Sequence, residues 1–203
     1  QSRADGMIGR FLGAALLLAA QASFAAGLEI VSPVNGAVVP LLSDGQKEFL
    51  SLPRERRVAG LADREFRRKL RANGHHPRKV KLAWRAQKPS TGYEVAVARK
   101  FDGAVACRVT CAETSVEVDN LEIACAYEWT VRGRTADGEW LTACGEFSTE
   151  DVAPRLVRID GVPNVRDLGG RIGLGGRRVR QGLVFRSAGL NDNAKLEIVT
   201  NAL

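Results

Sequence analysis

From residue 80 onward the chain alternates. Val80, Leu82 and Trp84 are interleaved with Lys81, Ala83 and Arg85, and Tyr93, Val95 and Val97 with Glu94, Ala96 and Ala98. Val116 and Val118 follow, then Tyr127, Trp129 and Val131. A period of two places every second side chain on one face, so these stretches are predicted as strands with one buried face. Asp137-Gly138 is a hairpin signal between the last of them and a strand from Trp140 to Thr149. Nearer the start, Glu29-Ile30-Val31 and Ala37-Val38-Val39 flank a turn signal, Pro33-Val34-Asn35-Gly36. Together these elements predict an all-β sandwich over residues 28–151.

The pattern breaks between about residues 42 and 76, where a helical insertion is expected. Ser43 followed by Gln46 reads as a capping box, opening a short helix through Phe49 and Leu50 that ends before Pro53. Asp63 caps a second helix with Phe66 and Leu70 on one face, closed by Asn73-Gly74. On that helix Glu65 and Lys69 are spaced as an i,i+4 pair.

The most demanding stretch is Val162 to Ser187. Asn164, Arg166 and Asp167 precede Gly169-Gly170, and Gly173, Gly175 and Gly176 precede Arg177-Arg178. Paired glycines allow backbone angles and close approaches closed to other residues. Leu183-Val184-Phe185 reads as a brief buried strand. It would carry Arg186 and Ser187 to its end, where α/β folds usually bind ligands.

These residues resemble the opening segment of a bacterial tyrosine-phosphatase family of dual-specificity-like enzymes. That segment begins Asn-Phe-Arg-Asp-Leu-Gly-Gly and reaches an Arg-Ser after a short strand. Here it reads Asn164-Val165-Arg166-Asp167-Leu168-Gly169-Gly170, then Gly176-Arg177-Arg178-Val179-Arg180 and Phe185-Arg186-Ser187. Val165 replaces the usual Phe, which would remove an aromatic contact near the substrate. The resemblance implies the start of an α/β phosphatase domain over residues 155–203. Its substrate would be a phosphorylated protein or a phosphoinositide, with Asn164, Arg166, Asp167 and Arg186 beside it. In that role Arg166 and Arg186 contact phosphate bidentately, and Asp167 holds an Arg or orients the loop. The alternative is that Arg166, Asp167 and Arg186 form an internal ion-pair network.

The same family attacks phosphate with a Cys followed six residues later by an Arg. The six-on positions here are Glu113, Glu117, Val131 and Glu150, after Cys107, Cys111, Cys125 and Cys144. Glutamates there would repel phosphate. No catalytic residue is therefore expected in this chain, which reads as an N-terminal fragment with its nucleophile loop beyond Leu203. No cofactor is expected.

A second resemblance lies in the sandwich. Leu121 precedes Tyr127 by six residues, as at the corner of a fibronectin type III domain, with Trp84 as the buried aromatic of an early strand. That fold is usually a binding or spacing module. A non-enzymatic extracellular binding or adhesion module is accordingly the alternative function.

The chain start carries a different signal. Met7 is the only Met and is read as the true start; Arg10, an apolar run from Phe11 to Ala20 and Ser23-Phe24-Ala25 then follow the order of a signal peptide. Residues 1–25 are thus assigned to upstream sequence and signal peptide, with maturation near Ala26. The protein is expected to be exported, periplasmic or secreted. Export permits disulfides, and four Cys allow three connectivities. Cys107 and Cys111, four apart on a strand, face the same way and do not pair directly. The spacings fit no zinc site, and His75-His76 sits in a polar turn.

Charge changes the picture only locally. The chain carries +7 overall. Between Arg54 and Lys81 there are eleven basic and three acidic residues, a net +8, so the remainder is nearly neutral. Nucleic acid is not an expected partner. Residues 54–81 are either an anionic-surface contact or a solvated helix face with Phe66 and Leu70 turned to the sandwich.

Overall fold

The computed structural model describes residues 27–70 and 76–189. The segment expected to be a signal peptide, the expected helix end at Asn73-Gly74 and His75 lie outside the described residues. In chain order the elements are β1 (Leu28–Ser32), β2 (Ala37–Val39), α1 (Asp44–Ser51), α2 (Arg54–Gly60), α3 (Arg64–Leu70), β3 (Val80–Ala86), β4 (Ser90–Arg99), β5 (Val105–Cys111) and β6 (Ser115–Val118). They continue as β7 (Ala126–Thr135), β8 (Trp140–Thr149), β9 (Arg155–Ile159), β10 (Val162–Asp167) and β11 (Phe185–Arg186).

Two sheets enclose the main core. One has the order β1-β3-β6, the other β2-β8-β7-β4-β5, and all neighbours are antiparallel except the β2–β8 pair. Burial follows the sequence period. Leu82, Val97, Trp129 and Val131 are fully buried, while Lys81, Arg85 and Glu94, one step away, are exposed. Trp84 meets Tyr93 edge-on at 5.2 Å and Trp129 at 6.3 Å, and Tyr127 stacks on Phe147 at 5.5 Å. Burying each of these rings contributes about 1.5–3 kcal/mol or more. At the β7–β8 hairpin Gly138 takes φ 85° and donates to the Thr135 carbonyl.

The insertion lies between β2 and β3. Ser43 and Gln46 make both capping-box bonds, at 3.2 and 2.8 Å, and α1 stops before Pro53. Asp63 accepts from the Phe66 amide and caps α3. Between them stands α2, which the sequence pattern did not announce, because only Val58 in it is a large apolar residue. Two expectations are corrected here. Phe66 turns to Phe49 of α1, 6.1 Å away, and so closes the insertion on itself. Glu65 lies nearest Arg68 at 4.0 Å rather than Lys69, an exposed i,i+3 pair. The α1–α3 approach requires Gly45, where a Cβ would stand 2.9 Å from the Lys69 carbonyl oxygen. Lys47 ties α1 to Glu150 at the exit of β8, at 2.6 Å.

The last elements form a separate sheet, ordered β11-β10-β9. Asp160-Gly161, with Gly161 at φ 80°, closes the β9–β10 hairpin. Val157, Ile159, Val162 and Val165 make a small core with Phe185. This corrects one expectation. The strand expected at Leu183–Phe185 is only Phe185–Arg186, with Leu183 and Val184 exposed, since it is an edge strand of a sheet that buries one face. Val165 points into this core.

Docking runs along the loop before β7. Tyr127 accepts the Glu122 amide at 2.8 Å, which pins this loop across the corner. The loop then offers its backbone outward. Arg155 donates to the Leu121 carbonyl at 3.2 Å and to the Asn120 carbonyl at 2.6 Å. Gln181 pairs with both the amide and the carbonyl of Ile123, at 2.9 and 3.0 Å. Asn120, at φ 59°, bonds both backbone groups of Arg158, at 2.6 and 3.0 Å. Arg158 also reaches Asp119 at 2.7 Å, and Arg178 reaches Asp151 at 2.5 Å.

Candidate anion site

Residues 164 to 167 run along β10, where successive side chains face opposite ways. That alternation splits the four residues singled out by sequence into two groups.

Asp167 faces inward. Its side chain has no exposed surface, and it accepts from Arg155 at 2.9 Å, from the Gly169 amide at 2.8 Å and from the Gly182 amide at 2.7 Å. Asp167 and Arg155 are also direct cross-strand partners. Asp167 thus holds an Arg and orients the following loop; it has no oxygen facing solvent. Gly169 and Gly170 explain themselves in the same place. A Cβ on Gly169 would stand 2.1 Å from the Arg180 carbonyl oxygen, and one on Gly170, at φ 79°, would stand 2.7 Å from Ile123. The glycine pair lets this loop close on residues 180–181 and on the sandwich.

Asn164 and Arg166 face the other way. Asn164 has φ 63°, a left-handed conformation that Asn tolerates better than most side chains. Its Oδ1 accepts both Nε and Nη2 of Arg166, at 3.1 and 2.8 Å, which fixes the guanidinium plane. Arg166 stands directly across from Arg186 on β11. Burial pushes the Arg166 pKa down, and the positive fields of Arg186 and Arg171 push it further. Among the described residues no carboxylate pairs with Arg166, Arg171 or Arg186. Like charges opposed across a strand pair destabilise a sheet unless an anion joins them. The arrangement is therefore suited to receive phosphate, with one half-buried and pre-aligned guanidinium and two outer ones. Ser187 spends its hydroxyl on the Ala188 carbonyl, at 2.7 Å.

Sequence reading missed Arg155, Asn120, Gln181 and Arg171. None belongs to a motif, and their partners are distant in sequence. Only the Asp160-Gly161 dipeptide, a hairpin signal, pointed to β9 as a partner of β10.

All four thiols are free. Cys107 and Cys111 share the core-facing side of β5, as the spacing predicts, while Cys144 faces outward. Burial pushes the thiols of Cys107, Cys111 and Cys125 up, away from the reactive thiolate. Among the described residues no group of His, Cys, Asp and Glu is placed to hold a metal.

Asn164 and Arg166 also line a cleft of about 370 Å3 between the insertion and the β9–β10 hairpin. Gln46, Arg57, Arg67, Asn164 and Arg166 contribute its polar wall.

Residues 157–200 match the model of a tyrosine phosphatase family. The matched segment begins within β9 and contains Asn164, Arg166, Asp167 and Arg186. No curated protein matches the chain.

Proposed function

We propose that this chain carries the opening part of an exported tyrosine or dual-specificity phosphatase, behind a fibronectin type III-like sandwich. The observation that carries the reading is the Arg166–Arg186 cross-strand pair, joined by Arg171 and unpaired with any carboxylate among the described residues. It lies inside the segment matching the tyrosine phosphatase family. In this reading Arg166, held by Asn164, and Arg186 receive the phosphate of a phosphoprotein or phosphoinositide. Asp167, Gly169 and Gly170 hold the segment in place.

The nucleophile is not among the four cysteines, since none has an Arg six residues later. We place it in sequence following residue 203. A supporting feature is the exposed apolar surface of the C-terminal unit. Ile172, Leu174, Val179, Leu183 and Val184 are all exposed there, as befits a face that further layers of one domain cover. The sandwich reading is supported by its strand order and by the Tyr127 hydroxyl on the Glu122 amide. Export rests on the order of Arg10, the apolar run and Ser23-Phe24-Ala25. N-terminal sequencing of secreted material checks it, and a mature protein retaining Phe11 refutes it.

The test of activity is turnover of p-nitrophenyl phosphate. The 203-residue chain is expected to show none. A product read further along the same frame is expected to be active and to lose most activity with Arg166→Ala or Arg186→Ala. Turnover by the chain alone, or an inactive longer product containing a Cys loop, refutes the reading. The second reading, an extracellular binding module, is favoured by Trp140. It is 44% exposed, with Arg132 over its ring at 4.4 Å, a surface suited to a polar ligand. A frame that ends without a Cys loop favours this second reading.

A further inference from the structure

The cleft beside Arg166 is built mostly from outside the matched segment. Leu42, Phe49, Leu50, Leu61 and Leu70 line it from the insertion, and Leu156 from β9. Against these stand three guanidinium groups, Arg57, Arg67 and Arg166, and no carboxylate lines the cleft. Such a mixture is unusual. An apolar cleft without function has no need of three cations, and a solvated basic face has no need of six large apolar walls.

Two details give the cations a purpose. The Nε of Arg57 is buried and has no hydrogen-bond partner among the described residues. A guanidinium with a desolvated, unpaired Nε is costly, and an anion in the cleft would lower that cost through its charge, acting on the guanidinium as a whole. Arg166 is held in one plane by Asn164, while its Nη1 takes no partner among the described residues. The volume sets a further limit. About 370 Å3 is near the lower end of the roughly 300–1,000 Å3 typical of small-molecule sites. That suits one acyl chain rather than a two-tailed lipid.

We propose that this cleft binds a single-chain anionic amphiphile. Its apolar tail lies against the leucines and Phe49, and its carboxylate or phosphate head lies between Arg57, Arg67 and Arg166. The site shares Arg166 with the proposed phosphate pair, but two of its three cations and most of its walls belong to the insertion, so binding there can be read without phosphatase activity. It also gives the basic insertion a specific role, distinct from a general attraction to anionic surfaces.

The test is a fluorescence titration of the full chain with dansyl-labelled undecanoate, followed by displacement. Dodecanoate and dodecyl phosphate are expected to displace the probe, while dodecanol and inorganic phosphate at the same concentration leave it bound. Arg57→Gln with Arg67→Gln is expected to weaken binding roughly tenfold or more, Arg166 being left intact. Leu61→Asp, at an exposed rim position of the cleft, is expected to abolish binding with an unchanged melting temperature. Tighter binding of dodecyl phosphate identifies a lipid phosphate, and tighter binding of dodecanoate a free fatty acid. Equal probe affinity in the double Arg variant overturns the proposal. So does displacement by dodecanol as strong as that by dodecanoate.

Discussion

Arg155 and Asp167 stand opposite each other on neighbouring strands, 2.9 Å apart, with the Asp167 side chain wholly buried. The remaining donors of Arg155 reach the carbonyls of Leu121 and Asn120, so this one pair joins the C-terminal sheet to the sandwich. Removing one partner of a buried ion pair leaves an unpaired charge, which costs about 3–5 kcal/mol. Asp167→Ala is expected to lose that order of stability in a urea titration. Replacing the exposed Arg186 by Ala is expected to change stability by less than about 0.5 kcal/mol. Equal effects of the two would contradict the assignment of Asp167 as the structural member of the motif.

Gly169→Ala should be among the worst substitutions in the chain. The added Cβ meets backbone at 2.1 Å, and backbone does not rotate away. The C-terminal sheet is expected to lose protection in hydrogen exchange while the sandwich keeps it. Gly103→Ala is the comparison. It has φ 70° but nothing within 4 Å of the new Cβ, so only the left-handed penalty of about 1–2 kcal/mol applies.

Tyr127→Phe removes the acceptor of the Glu122 amide and keeps the ring stacked on Phe147. A loss of about 1–3 kcal/mol is expected from the orphaned amide. The same loop presents Asn120, Leu121 and Ile123 to the C-terminal sheet. A double-mutant cycle of Tyr127→Phe with Arg155→Ala should therefore show coupling above about 0.5 kcal/mol. Strict additivity would mean that the corner and the docking loop act independently.

The Arg178–Asp151 strap should be sensitive to acid. The hydrogen bond from Arg178 holds the Asp151 carboxyl below its ordinary value. A depressed carboxyl contributes stability above its unfolded pKa and loses it as pH falls through the folded one. Exchange protection around Arg178 is thus expected to be constant near neutrality and to fall below about pH 4. In Asp151→Asn this part of the acid response should disappear. A response unchanged by Asp151→Asn would assign the acid sensitivity to other carboxylates.

The alternation of β3, β4 and β7 and the caps at Ser43 and Asp63 were legible in the sequence because they are local. A period of two fixes which side chains share a face, and a capping hydroxyl or carboxylate reaches only three residues ahead. The Asn164–Gly170 motif was legible too, as a set of residue types with unusual backbone demands. What each of its members does was decided by tertiary structure. The pleat of β10 sends Asp167 to Arg155 and Arg166 to Arg186, and neither partner is announced by any spacing along the chain. Gly170 is required by Ile123, a loop residue that packs into the sandwich core. The cleft arises only because the insertion between β2 and β3 comes to rest against β9 and β10. Such pairings depend on how separate elements pack, a long-range property that local pattern does not encode.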